Sequence, residues 1–370
     1  MARAVPHIHF VLDPRATRWP DIDSLVEADI ERMPSRFVGG RNSWIAQGFV
    51  RLRASIEARG WHASAGPGFP DGAICIAHRD DVNRFAVRAH RSFLVVVRAD
   101  RAPARACDIA IAQNGLALER HERFLPLWPQ PGLIPRDDKR GRRIERLAYR
   151  GRISSVPSWF RDAEFLAALR LRGIEFEPSS REWEDYRHVD VAIAARDELA
   201  EVLKRKPATK LYNAWLAGVP LLASPEPAYE ELRRKPVDYF RIRSAADVLA
   251  ALDLLRAYPR VYDAMVENGR ARSLGFTVDA LRERWMALLE REIVPACLRA
   301  SHGRASRRAW FLRAMASQKA LSRAHRLRCS AQALGRSAQR LAQSLRDRMR
   351  GSPSPGEAKA AGATRKSIAG

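Results

Sequence analysis

The sequence predicts an α/β protein of two parallel-sheet domains followed by a basic helical extension. Three observations predict it. Short apolar runs recur along the chain and each ends in polar residues, the pattern of strands buried on both faces. One stretch with four prolines, Leu125–Asp138, divides these runs into two sets. Beyond Arg299 the apolar runs stop and arginine takes over. The resulting division is a first domain at 1–125, a connector at 126–142, a second domain at 143–295, a helical extension at 296–350 and a compositionally disordered tail at 351–370.

In the first set, His7–Leu12 reads as a strand followed by a loop with Asp13 and Pro14. A variable segment runs to Phe37. Gly39 and Gly40 then precede a helix over Trp44–Arg59, with Asn42 or Ser43 placed to cap it and Gly60 to close it. Paired glycines ahead of a helix leave backbone N–H groups free for a phosphate or a hydroxyl, although a plain turn is the simpler reading. Gly72–Ala77 is the next strand, with His78, Asp80 and Asp81 just past its end. That is where α/β enzymes place chemistry, and a base for an acceptor hydroxyl belongs there. Alternatively, Asp80 or Asp81 caps a helix over Val82–Ala89. Ser92–Val97 and Asp108–Ala112 complete the set, and two of the connections are too short for full helices.

The prolines at 126, 129, 131 and 135 make the connector a stiff extended segment. Trp128, Leu133 and Ile134 suit packing on the protein itself, and Gln130 and Arg136 could reach a ligand between the domains. The second set opens with Arg146–Tyr149 and the turn Arg150-Gly151-Arg152. A helix over Phe160–Arg172, a strand over Ile174–Glu177, a short helix carrying Trp183 and Tyr186 toward the core, and a strand over Val189–Ala195 follow. This strand ends in Arg196-Asp197. From Lys206 to Leu232 the chain reads helix, turn, strand, loop, helix. Leu211, Ala214 and Trp215 share a helical face, Gly218 suits a left-handed C-cap, and Pro220 stops the helix. Ser224 can cap the helix that begins at Ala228. Lys206 and Lys210, four apart near a helix start, oppose the macrodipole, a cost that is tolerable on a solvated face or useful if a diphosphate sits between them. Three amphipathic helices, Ser244–Arg256, Pro259–Arg272 and Asp279–Glu292, close the set.

Charge and composition narrow the classes. Between Arg299 and Arg350 fourteen Lys and Arg face Asp347 alone, so this stretch carries most of the formal net charge of +23. The body is only mildly basic, and nucleic acid is not an expected partner. Trp310, Phe311, Ala314 and Met315, then Leu334, Ala338, Leu341 and Leu345, form apolar stripes on helices otherwise rich in arginine. Such helices suit an anionic membrane surface, reached here through residues 299–350. The GxGxxG fingerprint of classical dehydrogenases is absent. Cys75, Cys107, Cys297 and Cys329 are scattered, with no CxxC pair, which fits free thiols in a reducing cytoplasm and neither a zinc site nor a disulfide framework. No apolar run is long enough to span a bilayer, and the first residues lack a signal peptide's apolar region. The expected location is the cytoplasm, with peripheral contact at the inner face of a membrane.

The stretch Lys206–Leu232, with its Ala217-Gly218-Val219-Pro220 turn, resembles the donor-site segment of GT-B glycosyltransferases. The likeness extends to Tyr149-Arg150-Gly151-Arg152, to Val189–Ala194 and to the helical run ending near Glu290, roughly half the chain. Many retaining members carry two glutamates eight positions apart in this segment. Arg205 and Asn213 stand there in this chain, so the resemblance implies a branch divergent from those families. It implies two Rossmann-like domains facing a cleft, with a nucleoside-diphosphate sugar as donor substrate and no cofactor or obligatory metal, in keeping with the lack of a DxD motif. The implied activity is metal-independent transfer of a hexosyl or related sugar to a glycan or lipid-linked acceptor, in surface polysaccharide synthesis. Arg152, Arg196, Lys206, Lys210, Asn213 and Glu226 fall on the donor side. His78, Asp80 and Asp81 fall on the acceptor side as catalytic candidates, with Gly39 and Gly40 as a phosphate or acceptor loop. The competing reading is a non-catalytic protein that associates with nucleotide or nucleic acid through its basic tail.

Overall fold

The computed structural model describes residues 5–13, 18–83, 86, 88–116, 118–300 and 304–350. The chain divides into two units, Met1–Ala320 and Leu321–Gly370.

The first unit holds two parallel sheets. The first contains β1 (His7–Val11), β2 (His62–Gly66), β3 (Ile74–His78), β4 (Phe93–Ala99), β5 (Ile109–Ala112) and β6 (Glu122–Phe124). Their order is β2-β1-β3-β4-β5-β6, every pair parallel. One face is covered by α1 (Glu27–Arg32), α2 (Pro34–Phe37) and α3 (Arg41–Glu57), which bury Ile30, Phe37 and Phe49 against Ile8 and Phe10. Gly48 permits the close approach of α3, because a Cβ there would stand 3.2 Å from the Phe10 ring. The helix expected from Trp44 starts at Arg41. Gly40, at φ +81°, is its N-cap, and Ser43 does not cap but donates its hydroxyl to the Gly40 carbonyl.

No α-helix separates β3 from β4 or β4 from β5 among the described residues. Of the helix expected over Val82–Ala89, Arg84, Phe85 and Val87 lie outside the described residues; Val82, Asn83, Ala86 and Arg88 are not helical, and Ala89 opens a 3₁₀ turn at Ala89–Arg91. A parallel sheet must be covered on both faces. The second face is rich in alanine, and a helix from far along the chain closes it.

The second sheet contains β7 (Arg146–Arg150), β8 (Glu175–Ser179), β9 (Val191–Ala194), β10 (Leu221–Ala223) and β11 (Phe240–Arg241). Its order is β11-β10-β9-β7-β8, again all parallel. Alternation sorts its side chains: Leu147, Tyr149, Val191 and Ile193 enter one core, Ala148, Ala192 and Ala194 the other. The helices are α4 (Ala163–Leu171), α5 (Ala200–Leu203), α6 (Thr209–Leu216), α7 (Pro227–Leu232), α8 (Ala245–Ala257) and α9 (Pro259–Ser273). Gly218, at φ +68°, ends α6 as its position implied. Ser224 does not cap α7. Glu226 holds the N-cap position, and the Ser224 hydroxyl donates to its carboxylate at 3.2 Å. Trp183 lies on a turn and Tyr186 in irregular chain rather than on a helix, with Tyr186 buried in the core.

The proline-rich connector is pinned along its length. Arg51 lies 5.2 Å over the buried Trp128 ring, and Ile134 bridges to Asp185. Arg136 and Arg140 both bind the fully buried Asp190. Burial opposes the Asp190 charge, yet bonds from Arg140, the Glu145 amide and Arg136 hold its carboxyl below the usual value.

The chain then returns to the first sheet. α10 (Val278–Leu288) delivers Leu281, Trp285 and Met286 into the core beside α3, and Arg282 pairs with Glu27. A π-helical turn, Leu289–Ile293, follows, then α11 (Val294–Arg299). Pro295 lacks the N–H that would bond four residues back, which accounts for the widened turn.

α12 (Arg304–Arg350) begins in the first unit and supplies the missing cover. Phe311 and Met315 are buried against Cys75, Leu94, Val96 and Ala110. Gln318 accepts from the Arg105 amide at 2.9 Å, and Arg307 binds Asp108 and the Ser92 carbonyl. The stripe expected to face a membrane is thus, from Trp310 to Met315, the inner face of a core helix. In the second unit Leu334 is exposed. Ala338 is exposed as well. The side chains of Leu341 and Leu345 and the whole of 351–370 lie outside the described residues. No helix among the described residues is long and apolar enough to cross a membrane.

Candidate active site

In parallel sheets, the loops after the strands' C-terminal ends carry the chemistry. At the first sheet this edge holds Asp13 after β1, His78 to Asp81 around the end of β3, Asp100 and Arg101 after β4, and Asn114 after β5. At the second it holds Gly151 and Arg152 after β7, Arg196 and Glu198 after β9, and Glu226 after β10. The two edges meet. The Lys206 ammonium lies 3.1 Å from Asp100 Oδ2 and 3.4 Å from Glu198 Oε2, one carboxylate from each side. Asn114 donates to the carbonyls of Lys204 and Lys206, and the Gly115 amide donates to Glu231.

The first-sheet edge is a ladder of matched charges. Arg41, in the first turn of α3, pairs with Asp13 and, at 2.9 Å, with Asp81. Arg101 pairs with Asp80 at 2.8 Å. His78 is buried, with its ring 5.7 Å from that of Trp44, and its Nδ1 accepts from the Asp80 amide at 3.1 Å. That bond leaves the proton of the neutral ring on Nε2. Burial lowers the His78 pKa to about 4, against the pull of Asp80. Gly39 and Gly40, at φ +72° and +81°, have open space where a Cβ would stand, at the N-terminus of the helix that carries Arg41.

The second-sheet edge is matched only in part. Lys210 stands in the first turn of α6, and its Nζ is buried 3.7 Å from the centroid of the Tyr149 ring. Among the described residues that nitrogen has no hydrogen-bond partner. Gly151 makes the room, since a Cβ there would overlap the amine. Burial first, and then the Arg196 charge, push the Lys210 pKa well below its usual value. Arg196 pairs with the buried Glu226. Burial raises the Glu226 pKa, while Arg196 and Lys210 oppose the shift. The Tyr229 hydroxyl is also buried without a hydrogen-bond partner among the described residues.

The residues singled out in the sequence therefore divide. Lys206, Lys210, Arg196 and Glu226 gather at one place, and His78, Asp80 and Asp81 form part of the facing edge. Arg152 is exposed beside Gly151, with no ion pair among the described residues. Asn213 is buried, and its side-chain oxygen accepts from the Gln130 amide of the connector. Asp100 and Glu198 belong to the site without being among the sequence candidates, although they stand at strand ends by the same rule that picks out Asp80. Tyr149 lies in a stretch that carries the resemblance but is not itself among the site candidates, and Arg41 carries no signal in the sequence, because an arginine at a helix start is common. Among the described residues no cluster of His, Cys, Asp and Glu is disposed to hold a metal ion.

No family model matches the chain, and no curated protein matches it. Solved structures similar to it include the pneumococcal O-GlcNAc transferase GtfA in complex with UDP and GlcNAc, at 15% identity and a TM-score of 0.41. That match covers 67% of this chain, which spans only 60% of GtfA. Anabaena HepE in complex with UDP matches at 11% identity and a TM-score of 0.45, over 78% of this chain and 100% of HepE. A glycosyltransferase from Rickettsia africae matches at 11% identity and a TM-score of 0.44, over 81% of this chain and 100% of its own.

Proposed function

We propose that the chain is a glycosyltransferase that holds a nucleoside-diphosphate sugar where the two C-terminal edges meet. The observation that carries this reading is the buried, unpartnered Lys210 amine beneath the Arg150-Gly151-Arg152 turn. A buried donor without an acceptor is costly, and an anion beside it removes the cost and favours the charged amine. Lys206, Arg152 and Arg196 stand at the same edge, enough cationic groups for a diphosphate.

Sugar transfer expels a nucleoside diphosphate, whose growing negative charge must be stabilised. Lys210, Lys206 and Arg152 do this work in place of a metal. For the diphosphate to engage Lys206, the lysine exchanges its bonds to Asp100 and Glu198 for phosphate oxygens. The acceptor approaches from the first-sheet edge. Asp80 and Asp81, each oriented by an arginine, supply oxygens for its hydroxyl proton, and the His78 Nε2–H is a donor to a substrate oxygen. The open backbone of Gly39 and Gly40 lies on this side.

Thermal-shift titration of the full chain with UDP, GDP, ADP, CMP and TDP tests the proposal. One nucleoside diphosphate raises the melting temperature saturably, and the shift is lost in Lys210→Ala. If no nucleotide shifts the wild type, or the shift survives unchanged in Lys210→Ala, the assignment fails.

A further inference from the structure

A second cluster of arginines lies at the opposite, N-terminal edge of the first sheet. Asp108 and His121 immediately precede β5 and β6, and the π-helical turn and α11 run alongside them. Together they line an open pocket of about 460 Å³ with Arg120, Arg123, Arg291 and Arg299 in its wall. An adjoining pocket shares Asp108 and His121 and is bounded by Arg105, Arg307 and Trp310.

The charges here do not balance. Asp108 is taken by Arg307, Glu119 by Arg105 at 2.8 Å, and Glu292 by Arg123. His121 Nε2 is engaged with the Ala104 carbonyl at 2.7 Å. Arg120, Arg291 and Arg299 are exposed and have no carboxylate partner among the described residues. Three exposed guanidinium groups around one pocket raise the local positive potential, which attracts an anion to it. The backbone contributes to their convergence: the turn forced by Pro295 carries Arg291, and Arg299 ends the short helix that follows.

We propose that this pocket binds a phosphate-bearing ligand, at a site separate from the edge that carries Lys210. Guanidinium forks match phosphate oxygens in pairs, and three of them suit a group with more than one negative charge. A pocket of this size takes one phosphorylated head. The head belongs either to a free phosphorylated small molecule or to an anionic lipid at a bilayer surface, and both present the same chemistry.

The test is site-resolved, so it does not depend on the nucleotide-sugar reading. The full chain is treated with phenylglyoxal, which modifies accessible arginines, and modification at each position is followed by mass spectrometry. Inorganic pyrophosphate is the probe in one arm. Phosphatidylglycerol vesicles, with phosphatidylcholine vesicles as control, are the probe in the other. Protection of Arg120, Arg291 and Arg299 together, roughly tenfold at about ten times the half-saturating concentration because only the free fraction reacts, supports the site. Protection by pyrophosphate assigns a free ligand, and protection by phosphatidylglycerol alone assigns a headgroup. In either case raised salt weakens the protection. If neither probe protects the three arginines, or if phosphatidylcholine protects them equally, the proposal is overturned.

Discussion

The two sheets of this protein meet the same packing requirement in different ways. The second sheet is covered by helices that arise between its own strands and immediately after them. The first takes cover on one face from α1 to α3 and on the other from α12, about two hundred residues beyond its last central strand. Their C-terminal edges differ as well. On the first sheet, Asp13, Asp80 and Asp81 each have an arginine; on the second, Lys210 has only an aromatic ring. One edge pairs its carboxylates with arginines, and the other leaves a buried amine without a hydrogen-bond partner among the described residues. On the proposed reading, the matched edge orients the acceptor and the unpartnered donor marks where the diphosphate arrives.

The largest effect expected from this difference concerns the borrowed helix. Phe311→Ala leaves a cavity against the first sheet and lowers unfolding stability by about 3–5 kcal/mol in urea titration. A loss near zero would mean that α12 does not belong to the first sheet's core.

The next is acid sensitivity at the matched edge. His78 is held neutral in the folded protein, with its pKa lowered to about 4. The unfolded chain therefore binds the extra proton first as pH falls. Stability is full above pH ~6.5 and declines toward pH ~4, by on the order of 2–3 kcal/mol. His78→Gln flattens that part of the profile, and an unchanged slope in the variant would remove His78 as its source.

At the partly matched edge, Lys210→Ala weakens nucleoside-diphosphate binding by about 1.5–3 kcal/mol, roughly ten- to a hundredfold in Kd by calorimetry. Its unfolding stability stays equal or rises, because a buried unpartnered amine is removed. A loss of stability without a loss of affinity would show that the lysine is structural and would erase the contrast between the edges. The smallest effect is at the bridge between them. Asp100→Asn costs about 0–1 kcal/mol of stability, as expected for a partly exposed ion pair. It tightens nucleotide binding if Lys206 must leave Asp100 to reach the diphosphate.

Much of the fold is legible in the amino-acid sequence. The apolar runs at His7–Leu12, Gly72–Ala77, Ser92–Val97 and Val189–Ala195 form strands whose bounds lie within two residues of those runs, since a strand buried on both faces needs an unbroken apolar run. The left-handed Gly218 and the proline-stiffened connector follow from backbone restrictions that act locally. Less is legible where the pattern is weak. β2 (HASAG) and β6 (ERF) carry little apolar signal and are held by pairing with neighbours distant in sequence. The stripe of Trp310, Phe311 and Met315 is visible in the sequence, but amphipathicity states that a face is buried, not against what.

The residues alone settled the α/β class, the strand ends where polar groups collect, and the lysines at the start of α6. These depend on periodicity and on local backbone preference, which each segment carries with it. Tertiary structure decided which of those polar groups neutralise one another, that Asn213 serves the connector, that α12 closes the first sheet, and that the Lys210 amine is buried beside Gly151 and Tyr149. Burial and charge pairing depend on which distant segments come together, and no stretch of the chain encodes that by itself.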